Sequence, residues 1–451
     1  MPNATNARPA VPGTALPPPT PLQKGFALLL VSLAMFGNYY VFDSLGPVVD
    51  LMREQLGFSF GQIGLLSTAY SVAALLVLLA GGWFIDRFGT RLALLVFAAV
   101  CVLAAAVTAW GTSFETVLAG RFLLGLGSEP MIVAATTVLA RWFSARELGL
   151  AFGLNLSISR LGSASADWST SFASPLYANW QDPLWLATGV AAVSMTAAML
   201  YWLHERRTEP RAQLGARGEI DELKVSQLFR FPATYWTIVG LCVVFYATVF
   251  PFRGFAINYF QEAHGLSRES AGALSSVLPL AAIIATPVFG LIVDRVGRRS
   301  LFMAAGSLAM LPLFLAVTYL PPGPEIALSA TISLPLNLLL CIVVFGLVFS
   351  LIPAVLWPSV ALVVEPTRLG SAFALMTFCQ QIGMAAVPLA IGWLNDWGGA
   401  SPENPAGYAP GMWFYTAMGA VGLFFAWRLR RGGRGPRARH ALDQAPERIA
   451  A

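Results

Sequence analysis

The stretch GWFIDRFGTR (Gly82 to Arg91) returns 208 residues later as GLIVDRVGRR (Gly290 to Arg299), and each copy closes an apolar run. In both, an acid–base pair (Asp86 and Arg87, or Asp294 and Arg295) precedes a glycine, Gly89 or Gly297, and then a basic residue, Arg91 or Arg299. A second echo is offset by 221 residues: Leu148, Gly149, Ala151, Phe152 and Gly162 against Leu369, Gly370, Ala372, Phe373 and Gly383. Repetition on this scale divides the chain into two halves built alike.

The runs around these loops set the class. Of the 451 residues, 57% are hydrophobic and only 11% charged, where a soluble domain carries about 25% charge. That balance excludes a water-exposed globule, a disordered chain and a nucleic-acid partner. Twelve apolar runs are each long enough to cross a hydrocarbon core of about 30 Å as a helix. They lie near 24–48, 62–82, 92–111, 114–140, 148–176, 183–203, 233–260, 270–292, 301–320, 336–363, 370–394 and 412–429. The expected fold is an all-α membrane protein of twelve transmembrane helices in two six-helix halves. Its divisions are a flexible tail (1–23), the first half (24–204), a linker (205–232), the second half (233–429) and a basic tail (430–451). Prolines 251, 287, 353, 358 and 388 predict more bending in the second half.

Basic residues orient the chain. With both termini cytoplasmic, 23 of the 28 Lys and Arg fall on the cytoplasmic side. Only Arg53 and Arg268 face out, and Arg121, Arg160 and Arg253 lie within spans. That asymmetry is the positive-inside pattern. Arginine outnumbers lysine 26 to 2, the bias of a GC-rich bacterial gene, so the cell (inner) membrane is the expected location. The four cysteines sit singly in apolar runs and form neither a disulfide framework nor a metal site.

Charges inside the spans are the candidate ligands. Arg160 lies 12 residues into the fifth run, about 18 Å along a helix and so near mid-membrane. Its repeat partner is the neutral Gln381, so the scaffold does not require a cation there. It reads either as a clamp for a substrate carboxylate or as half of an ion pair joining spans four and five. Glu129, 15 residues into the fourth run, is flanked by neutral residues. Its partner is expected to be a substrate ammonium when the site is filled and Arg160 when it is empty. Asp43 is a second carboxylate, nearer the outer end. Asn155, Gln380 and Gln381 can serve a peptide bond, while Tyr39, Tyr70, Tyr246 and Trp357 are either pocket walls or packing. Arg121 is expected to pair structurally, while Arg253 and Asp167 either pair with each other as an outer gate or alter which peptide side chains are accepted.

The doubled G-x-x-x-D-R-x-G-x-R loop in a 6+6 array resembles the major facilitator superfamily, with Thr90 replacing the usual basic residue in the first copy. A closer resemblance covers nearly the whole membrane region. It rests on FGNYY with Asp43 (from Phe36), Gly120 to Phe122, Gly127 to Glu129, Trp142-Phe143, Glu147-Leu148, FGLNLSISRLGS (Phe152 to Ser163), VFPF with Gly254 (from Val249) and LWPSVA (Leu356 to Ala361). These look like the lysosomal dipeptide transporter family. The resemblance implies passive dipeptide transport by alternating access, with the carboxylate-binding arginine falling on Arg160 and the amine-binding glutamate on Glu129. It also implies that Asp86, Arg87, Gly89 and Arg91, with Asp294, Arg295, Gly297 and Arg299, are gating residues, and that the Asp86 carboxylate faces a helix starting near Leu369. No catalytic residue, cofactor or metal is expected, and the partners are a small-molecule substrate and the bilayer, with the chain a monomer. Two rivals stand beside this reading: a proton-coupled carrier of organic anions using Arg160 alone, and a non-transporting peptide sensor.

Overall fold

Residues 17–212, 214, 231–365 and 368–432 are described by a computed structural model, and they are almost entirely helical. The first half contains α1 (Pro21–Asp43), a short α2 (Val49–Leu56), α3 (Phe60–Phe88), α4 (Thr90–Trp110), α5 (Phe114–Trp142), α6 (Ala145–Phe172) and α7 (Asp182–Thr208). The second contains α8 (Ala233–His264), α9 (Arg268–Val296), α10 (Arg299–Tyr319), α11 (Leu336–Val363), α12 (Leu369–Gly398) and α13 (Ala409–Gly432). An antiparallel hairpin, β1 (Glu325–Ala327) with β2 (Ser333–Pro335), joins α10 to α11. Most of the two tails and the linker expected from the sequence lies outside the described residues. Within those stretches α1 begins at Pro21, α7 runs on to Thr208 and α13 reaches Gly432.

Polar residues just outside the apolar runs set the helix starts. Thr20 with Gln23, Ser59 with Gln62 and Ser144 with Glu147 each form a reciprocal capping box, which satisfies two amides that the helix leaves unpaired. The first span ends earlier than expected, at Asp43 rather than near residue 48. Gly46 and Pro47 break it, and the chain continues through a 3-10 turn into α2. Pro251, Pro279, Pro287, Pro312, Pro353, Pro358 and Pro388 all lie inside second-half helices that continue through them.

Among the described residues eleven helices are long and apolar enough to cross a membrane on composition alone, and α6 is not one of them. Arg146, Glu147, Arg160 and Asp167 dilute its apolar content. Its 28 residues nevertheless span about 42 Å, and it is sheltered between α1 and α9. It is the twelfth crossing.

The halves meet mainly where α3 packs on α12 and α6 on α9. Both contacts lie on the face away from the two D-R-x-G-x-R loops. They are close because glycine allows it: a Cβ on Gly64 would fall 2.3 Å from the Pro388 carbonyl oxygen, on Gly392 2.2 Å from that of Phe60, and on Gly272 2.4 Å from that of Asp167. Toward the face carrying the loops the halves part.

Glycines also set the packing within each half. A Cβ on Gly162 of α6 would lie 2.2 Å from the Phe36 oxygen of α1, whereas one on Gly153, two and a half turns earlier, meets nothing within 4 Å. Gly162→Val should therefore cost about 1–3 kcal/mol through overpacking and lower the thermal unfolding midpoint in detergent. Gly153→Ala should leave the midpoint unchanged or raise it, because it removes a helix penalty of about 0.5–1 kcal/mol.

Candidate functional site

Between the halves lies a cavity of about 770 Å³, with Asp86 and Trp83 toward its mouth and Glu129 and Arg160 deeper in. The mouth therefore opens on the loop-bearing face. Tyr39 of α1, Tyr70 of α3, Tyr246 of α8, Trp357 of α11, and Gln380 and Gln381 of α12 also line it. Both halves thus contribute polar groups to one space.

Glu129 projects from α5 and accepts a hydrogen bond from the Tyr70 hydroxyl at 3.0 Å, while the same hydroxyl lies 3.0 Å from the Ser128 hydroxyl. Gln381 is the carboxylate's neighbour from the other half. Arg160, the sixteenth residue of α6, places its guanidinium carbon 4.3 Å from the ring centre of Phe349 on α11. Its Nη1 is buried and makes no hydrogen bond. The expected Glu129–Arg160 ion pair is absent among the described residues. The carboxylate turns to neutral donors and the guanidinium to an aromatic face, so two opposite charges share one cavity without cancelling. Cation–π contact offsets only part of the cost of desolvating an arginine.

Two candidates fall elsewhere. Asn155 is buried and accepts a hydrogen bond from Ser32 at 3.2 Å, tying α6 to α1. Asp43 lies beyond the cavity and is held by Arg253 of α8, whose Nη1 is 3.0 and 3.1 Å from its two oxygens. Arg253 also reaches Asp167, Nη2 to Oδ2 3.2 Å, and Ser275 of α9 donates to that same oxygen at 3.1 Å. Arg253 and Asp167 thus meet as the expected pair, with Asp43 as a third member. Arg121 finds backbone rather than a carboxylate: its Nη atoms donate to the carbonyls of Val41 and Phe42 in the last turn of α1, at 3.5 and 3.3 Å, where helix carbonyls carry partial negative charge.

More contacts seal the same face. Arg268 of α9 pairs with Asp50 of α2 at 2.7 Å, and Arg53 of α2 with Glu262 of α8. Asp396, in the last turn of α12, accepts the amides of Phe60 and Gly61 at 2.8 and 2.7 Å, and so caps α3 from the other half. Sequence reading missed Asp396 and Phe349. The first left a faint signal, a carboxylate at the end of a span, and the second left none.

On the open face the loops are at rest. Gly89 and Gly297 have φ of +84° and +68°, which is why each motif needs glycine there. Arg91 pairs with Glu209 at 2.8 Å and Arg299 with Asp294 of its own loop at 2.8 Å. Thr90 is buried and accepts a hydrogen bond from Arg141 at 2.8 Å. A second cation at that position would face the first, which accounts for the departure from the usual basic residue. The start of α6 is saturated by its capping box, with Lys24 2.7 Å from Glu147, whereas among the described residues no side chain caps the start of α12.

This geometry is that of a membrane transporter, and the chain belongs to the Major Facilitator Superfamily, whose model matches residues 31–255 and 252–449. It is 29% identical over 412 residues to the lysosomal dipeptide transporter MFSD1 of Pongo abelii, covering 87% of this chain and 85% of that protein. It is 24% identical over 386 residues to a probable sulfoacetate transporter, SauU, of Cupriavidus necator, covering 81% and 86%. A bacterial homolog of the human lysosomal transporter Spinster, solved in an inward-facing and unoccupied conformation, superposes with a TM-score of 0.71 at 16% identity over 95% of this chain and 100% of that one.

The closed face rests on Arg253 more than on either of its acids. Arg253→Gln leaves two buried carboxylates unneutralised, a loss of about 3–5 kcal/mol, and should lower the thermal midpoint more than Asp43→Asn or Asp167→Asn, each of which leaves one acid on the guanidinium.

Proposed function

We propose that this transporter carries dipeptides as a uniporter, gripping the peptide carboxylate with Arg160 and the peptide ammonium with Glu129. The observation that carries this reading is the pair of opposite charges, neither neutralised by the other, lining one cavity of about 770 Å³. That volume lies in the usual range for small-molecule sites, about 300–1,000 Å³. A solute bearing both signs satisfies both groups, and an anion alone leaves Glu129 without a counter-charge. The 29% identity to a lysosomal dipeptide transporter supports the same substrate class.

Cargo, Glu129 and Arg160 together are electrically neutral, so no co-transported ion is needed to balance the loaded site. The transmembrane regions described contain no histidine: His204 and His264 stand at helix ends. Uptake should therefore persist with an uncoupler present. The excess of basic residues on the loop-bearing face supports a cytoplasmic position for that face and both termini, in the cell (inner) membrane, with the cavity opening inward. The chain acts as a monomer, since its pathway is complete between its own halves.

Closure of the loop-bearing face calls for the reverse arrangement. Asp86 lies at the cavity mouth, and among the described residues no side chain caps the start of α12. Asp294 is engaged by Arg299, and α6 is already capped. Asp86→Asn should accordingly depress transport more than Asp294→Asn in the same uptake assay.

Ligand-induced thermal shift on purified protein tests the substrate. Free dipeptides should stabilise it, while acetylated or amidated ones and single amino acids should do so weakly. Glu129→Gln and Arg160→Met each remove one charge-assisted contact worth about 1.5–3 kcal/mol, so affinity should fall on the order of 10- to 100-fold. Full activity of Glu129→Gln with retained dependence on Arg160 would instead identify an anion carrier.

A further inference from the structure

The central cavity and the Arg253 lock are separated by a thin aromatic wall. Phe42, Tyr70, Phe250 and Met384 line both the cavity and the smaller pocket that contains Asp43, Asp167 and Arg253. Phe42 and Phe250 meet edge to face across the halves, with ring centres 6.2 Å apart. The ion pair behind them uses the same two helices: Asp43 follows Phe42 on α1, and Arg253 lies three residues after Phe250 on α8. A ring contact and a charge contact therefore lie side by side at one crossing, the rings facing the cargo.

Each of the two substrate-facing charges touches this wall through one ring. Glu129 accepts from Tyr70, whose ring centre is 4.8 Å from Phe42, which in turn meets Phe250. Arg160 lies over Phe349, whose ring centre is 6.0 Å from Phe250. Both chains end on the same side chain. Pro251 follows it, and a proline inside a helix lacks the amide that would bond one turn back, so α8 is easiest to bend at this point.

We propose that Phe250 is the positioning residue that couples occupancy of the cavity to the Arg253 lock. The inference rests on the reading of Glu129 and Arg160 as substrate ligands. A peptide ammonium competes with Tyr70 for Glu129, and a peptide carboxylate draws the Arg160 guanidinium away from Phe349. Tyr70, which braces Phe42, and Phe349, which braces Phe250, are then freed together. Phe250 keeps only its stacking on Tyr246 within its own helix, and the α1–α8 crossing loses the ring half of its contact. A ligand bearing one charge frees one ring only.

Gly254 gives a place to read this. It lines the pocket behind the wall, and a Cβ there meets nothing within 4 Å. In a background with Cys101, Cys242, Cys341 and Cys379 replaced, Gly254→Cys should react with a polar maleimide several-fold faster when a dipeptide such as Ala-Leu is added to the detergent-solubilised protein. With Phe250→Ala added, Ala-Leu should still raise the thermal midpoint, with affinity within about threefold, but the maleimide rate should no longer respond to it. Transport should then fall in kcat with KM little changed. Phe250→Tyr, which keeps the ring, should restore the response. If Phe250→Ala does not fold, Phe250→Leu is judged by the same criteria. A peptide-dependent maleimide rate that survives loss of the ring overturns the proposal. Absence of any thermal shift by dipeptides in the parent protein overturns the substrate reading instead, and the two failures are distinct.

Discussion

A guanidinium held near the middle of a transmembrane helix, with no carboxylate among the described residues to neutralise it, is the constraint from which the interior of this protein follows. Burying such a group is costly, and breaking up its surroundings costs more. The chain offsets part of the cost with the face of Phe349 and leaves Nη1 buried without a hydrogen bond. Glu129 meets the complementary difficulty with Tyr70. Each charge is supported by a neutral group, and the attraction between the charges is left available for something that enters. The helices around them must then supply a cavity open on one face and firmly shut on the other.

Much of the architecture was legible in the chain itself. Twelve apolar runs and a doubled loop motif give a count and a symmetry without coordinates. Where the reading differs from the structure, the reason is local. The first span stops at Asp43 because Gly46 and Pro47 break it, and an average over a long apolar window does not register a break so near its end. Conversely α6 is polar enough to fail as a span on composition, yet it crosses because α1 and α9 shield it. Hydropathy measures a helix against lipid, and the polar residues Asn155, Ser159, Ser163 and Asp167 of α6 are buried against protein.

The site was legible in its residue types and less so in its pairings. Glu129, Arg160, Tyr39, Tyr70, Tyr246, Trp357, Gln380 and Gln381 all reach the cavity, because depth along a helix can be counted from the sequence. Which way a side chain turns about the helix axis is harder to count. Asn155 lies little more than one turn before Arg160 yet faces Ser32 of α1. Asp43 belongs to the closed face because Arg253 reaches it, and that contact joins residues 210 positions apart in different halves. No local pattern encodes it.

The glycine contacts at the closed face bear on how the molecule cycles. Where Gly64, Gly272 and Gly392 lie against carbonyl oxygens of the opposing half, that part of the seal is main chain, which is already ordered in either helix. Long side chains interlocking across the same seam would each forfeit rotamer freedom at every closure, up to about 1.5–2 kcal/mol apiece. At these three positions backbone contact avoids that recurring entropic toll. The two end states can then lie near one another in free energy, and a few charged contacts suffice to decide which one prevails.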